Sequence, residues 1–274
     1  MTILTVEPQK PARAGNWTAV REIVEAVGRF SMWGPLALDD VVGRYRRTIF
    51  GPLWIIIPQA LFIFGIYVLH ESSFGGTSKE FLPYLAVSLP LWVMLVAFLV
   101  EGSLSMVSAK GLMESYALPP ALHVIRPVAR AYVTFAHLLP VYIVVELWVN
   151  HGLPVTMLAA IPAFALIGVF GFGAGLALAP LGARFRDLPP ALQALTTLGF
   201  VLTPVFWVPS TAQKANLLVK LNPFYYLLEM LRAPFLGTWG DPAVWAIAAA
   251  ISVGVFVAGV IIYAWRRSTV IFWL

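Results

Sequence analysis

Two carboxylates, Glu101 and Glu146, stand inside apolar runs of this sequence. An acidic side chain in the middle of a membrane costs about 2.5–3.5 kcal/mol on insertion scales, so such residues serve proton relays, ion paths or structural hydrogen bonds. Counted from Pro83, Glu101 falls about 27 Å along a helix, near one membrane face. Glu146 lies close to the end of its own run. Neither position calls for deep burial, and structural hydrogen bonding explains both more simply than a proton relay. The four histidines, His70, His123, His137 and His151, share no spacing that would hold one metal ion, and each reads as a surface or packing residue. Cysteine is absent, which excludes disulfides, thiolate metal sites and cysteine catalysis. No catalytic residue and no metal ligand is assigned.

Phosphate chemistry has no foothold either, because G-x-x-x-x-G-K-[ST] does not occur. The glycine-rich GVFGFGAG at 168–175 superficially matches a dinucleotide fingerprint, but it lies inside the apolar run 155–181 with no strand before it. Gly171 and Gly175 form a GxxxG pair, which suits close helix packing in lipid. Aromatic residues make up 14% of the chain. Tyr67, Trp92, Phe98, Tyr132, Phe135, Tyr142 and Trp148 fall in the apolar runs, where ring faces can carry sugars by stacking. Interfacial belts account for Trp54, Trp148, Trp207, Trp239 and Trp265.

The elements that position these residues follow from hydropathy. The chain is 60% hydrophobic and 11% charged, with mean hydropathy +0.84, against about 25% charged residues in soluble domains. That composition describes a polytopic, all-α membrane protein. The net charge of +5 is concentrated at membrane flanks, and no basic patch with interleaved aromatics suggests nucleic acid. VVGRYRRTIFGPLW at 41–54 sets the orientation: Arg44, Arg46 and Arg47 stand before an apolar run, at the cytoplasmic foot of a first span. Six spans are expected, at about Leu53–Leu69, Pro83–Val107, Ala131–Val149, Val155–Leu181, Pro189–Phe206 and Ala243–Trp265. Fourteen of the eighteen Lys and Arg residues then lie inside, as do both termini.

Residues 1–15 read as a disordered cytoplasmic tail without signal-peptide features. Residues 16–50 read as amphipathic helices. The first has Trp17, Val20, Val24, Val27 and Phe30 on one face; the second has Leu38, Val41 or Val42, Tyr45 and Ile49. Such helices suit the membrane interface, and equally a soluble partner. Residues 51–274 form the spanning domain. Within it, Lys110–Arg130 is a return loop holding a helix-sized piece, Leu112–Ala117, ended by Pro119-Pro120. Its Leu112, Met113 and Leu118 beside Lys110 and Glu114 suit docking on a cytoplasmic partner or a plain connector. Trp207–Asp241 is too apolar for a loop, and Phe224–Leu236 is too short to span. Asn222-Pro223 offers an N-cap and N1 proline, so short re-entrant helices at about 210–220 and 223–235 are expected before the last span. Pro58 in the first span and Pro204 in the fifth are expected to weaken local backbone bonding.

RYRRTIFGPLW at 44–54, the proline-ended inner loop, RFRDLPPALQALTTLGFVLTPVFW at 184–207 and LNPFYYLLEMLRAPFLG at 221–237 together resemble the permease subunits of type-2 ABC exporters. Within that group they are most similar to the O-antigen, capsular polysaccharide and teichoic-acid exporters, the Wzm/KpsM-like permeases, over nearly all of residues 16–274.

The resemblance implies a permease homodimer in the bacterial inner membrane, bound to two copies of a cytoplasmic ATPase that carries the ATP and Mg, with no cofactor in this chain. It implies a coupling helix at about 110–124, carried by Leu112, Met113, Glu114, Ser115, Tyr116 and Leu118. It implies a gating helix at the interface ending in Arg44, Tyr45, Arg46 and Arg47. Re-entrant helices over about 208–238 would include Asn222, Pro223, Glu229 and Arg232. A polymer path between subunits would be lined by Tyr67, Phe200 and Phe206. The substrate implied is a lipid-linked, O-antigen-like polysaccharide; export of a drug or small lipid is the alternative.

Overall fold

The computed structural model describes residues 16–74, 80–115, 118–210, 216–270 and 272–273, and among them all regular structure is helical. Helices α1 (Asn16–Gly28) and α2 (Phe30–Tyr45) precede α3 (Leu53–Phe74) and α4 (Phe81–Ser108). The short α5 (Lys110–Ser115) leads into α6 (Pro120–Asn150), and a 3-10 turn (Val155–Ala159) into α7 (Ala160–Arg184). Then come α8 (Leu188–Leu202), α9 (Leu217–Lys220), α10 (Pro223–Phe235) and α11 (Pro242–Val270). Among the described residues, 5 helical segments are long and apolar enough to cross a membrane: α3, α4, α6, the 3-10 turn with α7, and α11. The chain is a multi-pass helical membrane protein.

The span expected at Pro189–Phe206 is the exception. Its helix, α8, stops at Leu202 after 15 residues, or about 22 Å, short of a ~30 Å hydrocarbon core. Pro204 sets the stop, because the residue before a proline avoids the helical region, and Thr203 is extended at φ −93°, ψ 136°. Pro204 therefore sits in a turn and not inside a span. The loop expected over Lys110–Arg130 is also shorter. Pro119 is the N-cap of α6 (φ −56°, ψ 126°) and Pro120 opens the helix, where a missing N–H leaves no bond unmade. The proline pair opens the next helix, and Arg126 and Arg130 become helical. Residues 120–124 of the expected coupling segment belong to α6.

The core is α4, packed against α6 and α7, with α11 on the far side of α7. Small residues let these helices approach. A Cβ added at Gly259 would lie 2.1 Å from the Gly173 carbonyl oxygen, and one at Gly171 would lie 2.7 Å from the Phe98 ring. The glycine run is thus a packing seam. By contrast α3 is nearly bare, with Ile63 its one buried residue among those described.

The valine stripe of α1 faces outward. Val20, Val24 and Val27 are exposed, and Ala19, Ile23 and Ala26 pack on the protein. On α2, Gly34, Ala37 and Val41 are buried, whereas Leu38 and Val42 are exposed. Ile49 lies beyond the end of α2 and is exposed. Amphipathic periodicity identified the apolar stripe, but small residues beside it make the closer contacts.

Candidate functional site

Two polar clusters and one cavity stand out in the bundle. The first cluster lies at the basic end, where α2 finishes, α4 finishes and α6 begins. Asp40 on α2 accepts from Arg126 Nε at 2.7 Å and from Arg130 Nη1 at 3.0 Å. Glu101 on α4 accepts from Arg130 Nε at 2.8 Å, and Arg44 Nη2 stands 4.0 Å away. Arg126 and Arg130, one helical turn apart, present one face of α6 to both acids. Nearby, Glu22 of α1 accepts from Tyr263 Oη and from Arg267 Nη1, each at 2.7 Å, which fastens α1 to the end of α11.

The second cluster lies at the opposite end, around Arg232 of α10, which is 1% exposed. Its guanidinium donates to Glu229, to Tyr84 Oη at 2.5 Å, to Ser88 Oγ at 3.2 Å and to the Pro204 carbonyl at 2.6 Å. It also lies over the Tyr84 ring at 4.2 Å from the centroid. The Tyr84 hydroxyl is within bonding reach of the Pro204 and Trp207 carbonyls, at 2.6 and 3.0 Å. Arg232 thus ties α10 and α4 to the backbone of the turn after α8. Asn222 caps α10 by accepting from the Phe224 N–H at 3.0 Å, and its Nδ2 donates to Thr203 Oγ1 at 2.8 Å. At the other end of α10, Thr156 and Tyr142 hydroxyls donate to the Pro234 and Phe235 carbonyls, at 2.7 and 2.5 Å. Those carbonyls have no partner within the helix. Burial, and next the Glu229 carboxylate, raise the Tyr225 phenol above its ordinary range.

Between α3 and this second cluster lies a cavity of about 1250 Å³, walled by α3, the start of α4, the end of α6, the turn after α8 and α10. Phe200 and Phe206 stack with centroids 5.1 Å apart on one wall. Glu146 lines another: it stands one turn from the end of α6, as expected, but is buried, 4% exposed, where the sequence called for no deep burial. Its Oε1 accepts from Asn150 Nδ2 at 2.8 Å, and its Oε2 has no partner among the described residues.

The expected site residues divide among these places. Arg44 reaches the first cluster, Tyr45 ends α2 half-buried, and Arg46 and Arg47 are exposed in a turn where Arg47 has φ 69°. Leu112, Met113 and Leu118 are half-buried, and exposed Ser115 donates to the Gly111 carbonyl at 2.7 Å. The Glu114 side chain and Tyr116 lie outside the described residues. Asn222, Pro223, Glu229 and Arg232 converge as the second cluster, with Pro223 at the first turn of α10. Phe200 and Phe206 line the cavity, whereas Tyr67 packs against the core without lining it. Asp40, Tyr84 and the buried setting of Glu146 were missed. The four-residue spacing of Arg126 and Arg130 was the available signal for the first cluster.

No protein-family model matches the chain. Over 204 residues the chain is 24% identical to the O-antigen export system permease protein RfbA of Myxococcus xanthus, an alignment covering 73% of this chain and 78% of that protein. This similarity supports the resemblance carried by the motifs, to a type-2 ABC permease of the O-antigen kind.

Proposed function

We propose that this chain is the membrane subunit of an ATP-driven type-2 ABC exporter that moves a lipid-linked polysaccharide across the bacterial inner membrane. The observation that carries the proposal is the similarity to an O-antigen export permease over 73% of the chain. ATP and Mg are held by a separate ATPase, in keeping with the missing phosphate loop in this sequence. Two permease chains pair along α3 and α8. The exposed Leu61 and Phe64 of α3 and Leu195 and Leu198 of α8 support that surface. The basic end faces the cytoplasm by the positive-inside rule, with both termini there. α8 and the turn after it complete a sixth crossing, and α9 and α10 are re-entrant on the outer side. The 16–50 segment lies at the inner interface with the exposed valines of α1 in lipid.

In this mechanism the ATPases close on ATP and push α5 and the start of α6. The push passes through Arg126 and Arg130 to Asp40 and Glu101, so that α2 and α4 move with α6. The subunits then part along α3 and α8, and the glycan passes between them.

The test is hydrolysis by the complex of this chain with the ATPase encoded nearest to it, measured with and without lipid-linked glycan. The expected result is a stable complex whose hydrolysis responds to glycan and loses that response in Leu118→Glu or Glu114→Lys. A complex that answers only to small amphiphiles would replace polysaccharide export with drug or small-lipid export. Failure of any ATPase to bind would overturn the proposal.

A further inference from the structure

We infer that the cavity beside α10 is a sugar-binding subsite that takes a non-anionic sugar unit through its O–H or N–H groups; the inference rests on the proposed export of a glycan. Its centre is Glu146. A carboxylate oxygen buried without a donor is costly, and Glu146 Oε2 has none among the described residues. The residue is 4% exposed and lines the cavity; Oε2 itself is shut off from the cavity, so a ligand's donor reaches it once the carboxylate turns outward. Arg232 does not supply a donor, since its guanidinium is committed to Glu229, Tyr84, Ser88 and the Pro204 carbonyl.

Charge narrows the ligand. Among the described residues, the titratable groups lining the cavity are His70, Glu80, Tyr84, Glu146, Glu229 and Arg232. The positive charge of Arg232 is matched by Glu229, which leaves the carboxyls of Glu80 and Glu146 to repel a uronate, sulfate or phosphate. A hydroxyl or ammonium, by contrast, gains a charge-assisted bond to Glu146. The stacked Phe200 and Phe206, with Trp207 beside them, offer ring faces for the C–H face of a sugar. A purely apolar occupant would meet those rings but leave Glu146 unsatisfied. At about 1250 Å³ the cavity exceeds the roughly 300–1,000 Å³ of ordinary small-molecule sites, which gives room for a short run of sugars.

The experiment is a saturation-transfer NMR titration of the purified full-length chain in nanodiscs with three tetrasaccharides, of mannose, glucosamine and galacturonate. Mannose and glucosamine tetramers are expected to bind, and galacturonate at least about tenfold more weakly. Glu146→Gln should weaken the first two about tenfold, by loss of the charge-assisted bond, and narrow the gap to galacturonate. Phe206→Leu should weaken both binding tetramers several-fold without changing charge preference, and it serves if Glu146→Gln does not fold. Equal binding of galacturonate, or affinities unmoved by whichever variants fold, would overturn the subsite. Deleting the gene and staining surface polysaccharide separates this from the parent proposal. If polysaccharide is lost while the variants bind as the unaltered chain does, only the subsite fails; if polysaccharide persists, the export reading fails whatever the titration gives.

Discussion

The two polar clusters use similar residues to opposite ends. At the basic end, Asp40 and Arg130 each hold two partners, through side chains about a fifth exposed. At the α10 end, one guanidinium that is 2% exposed holds an acid, two hydroxyls and a backbone carbonyl. Water can replace a lost partner in the first cluster, so exchanging contacts costs little. In the second it cannot, and the carbonyl of Pro204 fixes the turn after α8 to α10. The basic end is therefore suited to shifting, and the α10 end to staying in place while it shifts.

The largest expected effect comes from breaking the rigid cluster. Arg232→Leu leaves Glu229 and the Tyr84 hydroxyl oxygen without the guanidinium donor and the Pro204 carbonyl with the Tyr84 hydroxyl alone, and should cost about 3–5 kcal/mol. Thermal unfolding of the purified chain in detergent should fall by roughly 10 °C. Arg232→Lys keeps the charge but cannot reproduce the planar fork, and should cost about 1–3 kcal/mol in the same assay. A lysine variant as stable as the unaltered chain would mean that charge alone, without directed bonds to the turn, holds this end.

Next in size is Asp40→Asn at the basic end, at about 0.5–1 kcal/mol. Its deficit should shrink in high salt, which screens partly exposed pairs, while that of Arg232→Leu should not change. Melting both variants in low and high salt checks the contrast directly. A salt-independent deficit for Asp40→Asn would remove the distinction between the clusters. Under the proposed mechanism the same variant loses glycan-stimulated hydrolysis although its melting barely moves.

The two ends also differ in how far sequence foretold them. α10 was legible nearly to the residue because its signals are local: an Asn222 cap, Pro223 at the first turn and an apolar run too short to span. The basic-end cluster was not, since Pro119-Pro120 can end one helix or open another, and only packing decides which. With the start of α6 misplaced, Arg126 and Arg130 looked like loop charges. The valine stripe of α1 was legible and faces outward, as an interfacial helix requires, but the opposite contact made by Ala19, Ile23 and Ala26 on the bundle was not, since two alanines and one isoleucine give no apolar stripe of their own. Glu146 was picked out by its apolar run, but its burial was not legible, because nothing in its neighbours Leu147, Trp148 and Asn150 reports that α3 and α10 wall the cavity beside it.

The smallest expected effect belongs to Arg44, the outermost member of the basic cluster. Its Nη2 stands 4.0 Å from Glu101 and its side chain is 56% exposed, while Arg130 already binds Glu101 at 2.6 Å. Arg44→Gln should therefore change stability by less than about 0.5 kcal/mol. In an Asp40→Asn background, Arg130 loses its second acid and can turn wholly onto Glu101, so Arg44 should matter less still. A double-mutant cycle on melting measures this as a coupling energy, expected within about 0.3 kcal/mol of zero. A larger coupling in the stabilising direction would mean that Arg44 takes over Glu101 when Arg130 moves. The basic end would then be a switch between two pairings of Glu101, not a cluster that merely loosens.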